Sequence, residues 1–157
     1  MVRIFLHGLE SSNMGTKSVF FREKFPDMII PHFKGNLRKR MKKLDEVLSG
    51  KSGIRLVGSS FGGLMATLFA MENEARIDKI VLLAPAINLM DSDLEKKKQS
   101  ISLPVWIYHG TNDRVIPIKK VEPVAKKIFS RLSFHPVDDD HFLHRIFKTI
   151  PWENLLA

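Results

Sequence analysis

In the stretch RLVGSSFGG at 55–63, two adjacent serines are followed by Phe61 and a pair of glycines. Only Ser60 has glycine two residues away on both sides, Gly58 and Gly62, whereas Ser59 has Val57 and Phe61 there. A serine hydroxyl is a poor nucleophile at neutral pH and needs a neighbouring base, most often histidine, itself oriented by a carboxylate. Both partners occur further along the chain, Asp113 within HGTNDRVIP at 109–117 and His141 at the end of DDDH at 138–141. Alone, the serine motif is weak: with 9 glycines in 157 residues it arises by chance in about 4% of such sequences. Its weight depends on whether the fold brings the three side chains together.

The elements that would do so are short β-rich runs alternating with helical patterns, the signature of a parallel sheet covered on both faces. Six runs are expected as strands: Val2–Leu6, Met28–Ile30, Ile54–Val57, Lys79–Leu83, Val105–Tyr108 and Leu132–Pro136. Helices are expected at about 15–25, at 36–49 with Asn36 as N-cap and Gly50 as stop, and at 61–72, 118–130 and 142–149. The segment FGGLMATLFAME at 61–72 is apolar nearly all round, which predicts a buried helix close to the sheet. Pro123 fits its helix only within about the first turn.

In such a sheet ligands gather outside the carboxyl ends of the strands. Four strand ends carry polar residues: His7-Gly8-Leu9-Glu10-Ser11-Ser12, Gly58 to Gly63, His109 to Asp113, and Asp138 to His141. Serine, acid and histidine thus fall at strand ends in the order Ser60, Asp113, His141. Asp91 or Asp93, after the fourth strand, is an alternative acid, and His144, one helical turn past His141, an alternative base. His7 and His109 are read as shaping the site, and His32 and His135 as structural. The run DDDHFLH at 138–144 could also offer carboxylates and imidazoles to a metal, but it lacks an HExxH spacing and is already accounted for as a histidine-bearing loop.

Taken together, the strand RLVG, the serine turn, the helix FGGLMATLFA, the loop HGTNDRVIP and the HG pair at 7–8 resemble the alpha/beta-hydrolase superfamily. These motifs run from residue 7 to residue 141. HGLESS and VGSSFGG together most resemble its compact bacterial esterases of the YqiA-like type. The chain departs from the larger fold in reaching the HG loop by residue 7, without the usual first two strands. The resemblance therefore implies a reduced six-stranded, mostly parallel sheet in order 2-1-3-4-5-6 with helices on both faces. It also implies roles: Ser60 as nucleophile, His141 as base and then acid, Asp113 as the group that orients His141, and the N–H groups of Phe61 and Leu9 as an oxyanion hole.

The bulk composition agrees with a single domain over 1–157, with 44% apolar and 27% charged residues. No run approaches the roughly 20 apolar residues of a membrane span, and the start MVRIFLHG does not read as a secretory signal, so a cytoplasmic address is expected. The absence of cysteine excludes disulfides, a thiolate nucleophile and cysteine-ligated zinc. No cofactor or metal is expected. A net charge of +8 raises the question of nucleic acid, but the densest basic cluster, RKRMKK at 38–43, falls opposite Leu37, Met41, Leu44 and Leu48 on a helix. It reads as a solvated face with no interleaved aromatics, as do Lys96–Lys98 and Lys126–Lys127, so no nucleic-acid partner is expected. The leading expectation is a serine hydrolase acting on a small ester or thioester, with a non-catalytic binding member of the same fold as its competitor. The 17 residues from Ala86 to Ser102 are too few for a lid domain, which implies an open site.

Overall fold

The computed structural model describes residues 1–90 and 100–157. Among them, β1 (Val2–Leu6), β2 (Ile54–Ser59), β3 (Ile77–Leu83), β4 (Ile101–Gly110) and β5 (Phe129–Val137) form one sheet in that spatial order. Every neighbouring pair is parallel, so all carboxyl ends share one edge. The helices are α1 (Thr16–Lys24), α2 (Leu37–Val47), α3 (Phe61–Asn73), α4 (Ile118–Ile128) and the short α5 (Trp152–Leu156).

Alternation along the strands decides what covers each face, since successive side chains point to opposite sides. Ile4, Leu6, Leu56, Ile80 and Leu82 join Leu44 of α2, Met65 and Phe69 of α3 and Val121 of α4 in one core. Phe5, Val57, Val81 and Leu83 join Phe21 of α1, Phe147 and Trp152 in the other. Strands apolar on both sides are what a doubly covered parallel sheet requires. Arg3 Nε and Arg55 Nη1 both donate to the Leu156 carbonyl, tying α5 to the edge of the sheet.

Three expectations need correction. Among the described residues the sheet has five strands, not six: Met28–Ile30 forms only a single parallel bridge, Ile29 to Ile4, on the outer side of β1. Its place matches the expected order, but Pro26 and Pro31 bracket the run too closely for a strand, and Pro31 has no N–H to give. The expected helix at 142–149 is instead a series of turns ending in a 3-10 turn at Phe147–Thr149. There the carboxylates of Asp139 and Asp140 take the N–H groups of Phe142, Arg145 and Ile146, and Leu143 adopts φ 55°. Side-chain acceptors so placed compete with helical bonding. Pro123, third, lies six residues into α4, beyond the first turn. Asn36 does cap α2, its side chain accepting from the Lys39 N–H. No helix among the described residues is long and apolar enough to cross a membrane.

Candidate active site

Ser60 lies between β2 and α3 with φ 54° and ψ −117°. An L-residue holds such a conformation only when its surroundings enforce it. Here the Ser60 N–H donates to the Leu83 carbonyl at 2.9 Å, and the Ser60 carbonyl accepts from the N–H groups of Gly63 and Ala86, each at 2.9 Å. The flanking glycines are a steric necessity: a Cβ on Gly58 would overlap the carbonyl of Gly62, and one on Gly62 would overlap that of Leu6. Ser59, by contrast, ends β2 in register with Leu83.

The three candidate side chains meet. His141 Nδ1–H donates to Asp113 Oδ2 at 2.7 Å, which leaves Nε2 with its lone pair to accept from the Ser60 hydroxyl at 3.2 Å. The Asp113 side chain is fully buried, and its other oxygen, Oδ1, accepts from the N–H groups of Val115 (2.9 Å) and Ile116 (2.7 Å). In a chain of this kind the base can draw the serine proton as the oxygen attacks, and the carboxylate can hold the imidazole in one tautomer.

Two loops carry Asp113 and His141, and each braces the other. Thr111 N–H donates to Val137 O and Asn112 N–H to Asp139 O, while a Cβ on Gly110 would overlap the Asp139 carbonyl. Lys17 at the start of α1 donates to the Phe142 carbonyl at 2.7 Å, pinning the turn just after His141. Burial pushes the Lys17 pKa down, against the pull of Asp140 and Asp139.

The HG loop lies against Ser60. A Cβ on Gly8 would stand 3.3 Å from Ser60 Cβ and 3.8 Å from its Oγ, and Leu9 follows with its side chain exposed. Phe61 is the first residue of α3, so its N–H has no partner within the helix. His7 fixes the loop from behind: the Phe33 N–H donates to its Nε2 at 2.9 Å, so Nδ1 carries the proton and donates to the Gly8 carbonyl at 2.7 Å. Burial pushes the His7 pKa down; the Gly8 carbonyl opposes this, while Arg40, His32 and Lys43 push the same way as burial.

The alternatives separate clearly. His144 is exposed and engages Asp140, Nδ1 to Oδ2 at 2.6 Å, rather than Ser60. Asp91, Asp93 and Lys96–Lys98 lie outside the described residues. The acidic run at 138–140 is divided among protein partners, Asp138 with Arg145 and Asn112, Asp139 with backbone N–H groups and Asp140 with His144. Among the described residues no group of three His, Asp or Glu side chains could hold a metal ion.

One member of the basic cluster departs from the solvated-face reading. Arg40 is buried, donates from Nε to the Gly35 carbonyl at 2.8 Å and lies 5.6 Å over the ring of Phe61. Helical spacing holds the signal: Arg40 stands three residues after Leu37 and four before Leu44, on the flank of the apolar stripe. Lys17 is not marked by the sequence, because the Phe142 carbonyl that it binds lies 125 residues away, whereas His7 and His109, read as shaping the site, do lie beside it.

The dienelactone hydrolase family model matches residues 17–138. A comparison with curated proteins finds no match. Among solved structures, mouse alpha/beta hydrolase domain-containing protein 10 is similar with a TM-score of 0.76 at 19% identity, over 98% of this chain and 88% of that one. Est1E from Butyrivibrio proteoclasticus, seen with bound ferulic acid, gives 0.77 at 17% identity, over 98% and 86%. Paleococcus ferrophilus monoacylglycerol lipase gives 0.72 at 15% identity, over 98% and 90%. At such identities the likeness is one of fold, an alpha/beta hydrolase sheet with its helices. The family match spans most of the chain, including Ser60 and Asp113 and ending three residues before His141: this protein is a hydrolase and belongs to the dienelactone hydrolase family.

Proposed function

We propose that the chain is a serine esterase or thioesterase working through an acyl-enzyme. The observation that carries this reading is the unbroken link from Ser60 Oγ through His141 to the buried Asp113 carboxylate. Ser60 Oγ attacks the carbonyl carbon of the substrate as His141 Nε2 takes its proton. The C–O bond made leaves a tetrahedral oxyanion, which the N–H groups of Phe61 and Leu9 stabilise. Collapse breaks the bond to the leaving group, which receives the proton from His141. Water, deprotonated by the same imidazole, then releases the acid and restores Ser60.

The substrate is a small-molecule ester or thioester with a short acyl group, and neither a nucleic acid nor a membrane is a partner in this reading; the cytoplasm remains the proposed address. Leu9 and Phe142, beside Gly8 and His141, are about half exposed, at 51% and 55%, so they offer an apolar rim rather than an enclosing wall. Turnover of p-nitrophenyl acetate by Ser60→Ala and Ser59→Ala tests the reading. Ser60→Ala should be inactive and Ser59→Ala active; the opposite pattern contradicts it.

A further inference from the structure

His109, the next-to-last residue of β4, is completely buried, with 0% of its surface exposed, yet the reaction outlined above gives it no task. Its Nε2 lies 2.8 Å from the Ile116 carbonyl and 3.3 Å from Asp113 Oδ2. The Ile116 carbonyl can only accept, so Nε2 carries the ring proton and donates it there, while Asp113 Oδ2 stands close by as a charge neighbour. Its Nδ1 is buried with no partner among the described residues, so a second proton there would leave an unsatisfied N–H in the interior. The ring is therefore a neutral donor in a single tautomer. Burial pushes its pKa down, against the Ile116 carbonyl and Asp113, while His141 acts in the same sense as burial.

Asp113 Oδ2 is also the atom that accepts from His141 Nδ1. A single carboxylate oxygen thus stands between two imidazoles, and Oδ1 is held by two backbone N–H groups. Ile116 joins the two halves: its N–H binds Asp113 while its carbonyl binds His109. A buried imidazole with one idle nitrogen is a poor choice for packing alone, since an apolar side chain of similar size would leave nothing unsatisfied.

We propose that His109 is a positioning residue for the hydrolytic reaction: its Nε2–H, given to the Ile116 carbonyl, holds the turn whose Val115 and Ile116 N–H groups aim the Asp113 carboxylate at His141. The proposal rests on the serine-hydrolase reading of Ser60, His141 and Asp113. His109 acts through Asp113 and does not touch substrate. Its loss should lower kcat and leave KM unchanged, because His141 samples orientations unable to take the Ser60 proton.

The test compares His109→Leu, which keeps apolar bulk without a donor, with His109→Gln, whose amide nitrogen reaches about as far as Nε2. For p-nitrophenyl acetate the leucine variant should lose about 10- to 100-fold in kcat, the range seen when an outer hydrogen-bond partner is removed from a working group. Its KM should not change and its thermal midpoint should fall only modestly, as the Ile116 carbonyl loses its partner; glutamine should restore both the midpoint and most of the kcat. Unchanged kcat in His109→Leu overturns the proposal, as does an equal loss in both variants accompanied by a lowered midpoint, the mark of a purely structural role. Should His109→Leu fail to fold, His109→Asn, whose amide falls short of the Ile116 carbonyl, replaces it and must show the same loss; full kcat there overturns the proposal equally. Fluorophosphonate labelling separates this failure from that of the underlying reading. No label on Ser60 in the unaltered protein defeats the serine-hydrolase reading, whereas a native labelling rate in His109→Leu defeats only the role given to His109.

Discussion

Gly62, in the first turn of α3, packs so closely on the last residue of β1 that a Cβ on it would overlap the carbonyl oxygen of Leu6. The neighbour in the way is sheet backbone, which cannot swing aside as a side chain could. Gly62→Ala should therefore cost about 1–3 kcal/mol or more, the usual penalty for overpacking, although alanine favours helices elsewhere. Urea unfolding measures it. A neutral or stabilised Gly62→Ala would contradict the close approach.

The choice between two histidines one helical turn apart gives a second prediction. His141 reaches Ser60 and Asp113, whereas His144 is exposed and engages Asp140. His141→Ala should lose about 10⁶ in kcat, as removal of the base in such a triad does, with its fold intact. His144→Ala should retain most activity. A dead His144→Ala beside an active His141→Ala would reverse the assignment.

Much of this was legible in the sequence, and what was missed has physical reasons. The strand cores, Asn36 as a cap and the Ser60 turn are encoded locally, in alternation, side-chain chemistry and glycine spacing. The reach of β1 toward Ile29 was legible as well, but Pro26 and Pro31 reduce a strand to one bridge. The 142–149 segment has helical periodicity, yet Asp139 and Asp140 claim its N–H groups once they are fixed beside β4. Arg40 groups with the surface bases by its charge, although its spacing from Leu37 and Leu44 puts it beside the apolar stripe, where it covers the ring of Phe61. His109 is read as shaping the site from its place at a strand end in HGTNDRVIP, but its bond to the Ile116 carbonyl forms only once the turn closes.

The buried histidines make stability depend on pH. His7 and His109 both have pKa values pushed below the ordinary 6.5, with burial the leading cause in each. His7 faces Arg40, His32 and Lys43, and His109 faces Asp113 and His141. As pH falls through 6.5 the unfolded chain takes up protons at these positions before the folded one does, so stability is complete above that value and declines below it. The urea midpoint should fall from about pH 7 to about pH 5.5, and less steeply in His109→Gln. A flat midpoint across that window would show that the two rings are not held neutral.

Acyl-chain selectivity follows from the exposed rim. Each CH₂ buried on binding contributes about 0.8 kcal/mol, but a chain lying over Leu9 and Phe142 keeps its other side in water. Short esters, roughly C2 to C6, should therefore be preferred, with little gain from further length. A kcat/KM series of p-nitrophenyl esters at fixed salt reads this directly, and a steady climb to about C12 would mean an enclosed acyl tunnel.

The central claim is that Ser60, strained at its turn and bonded to His141, is the nucleophile. Labelling of the unaltered protein with a fluorophosphonate, followed by mass-spectrometric mapping of the adduct, tests it most directly. The account predicts one adduct, on Ser60, abolished in Ser60→Ala and slowed strongly in His141→Ala. An adduct on Ser59, or undiminished labelling of the Ser60→Ala chain, would contradict it.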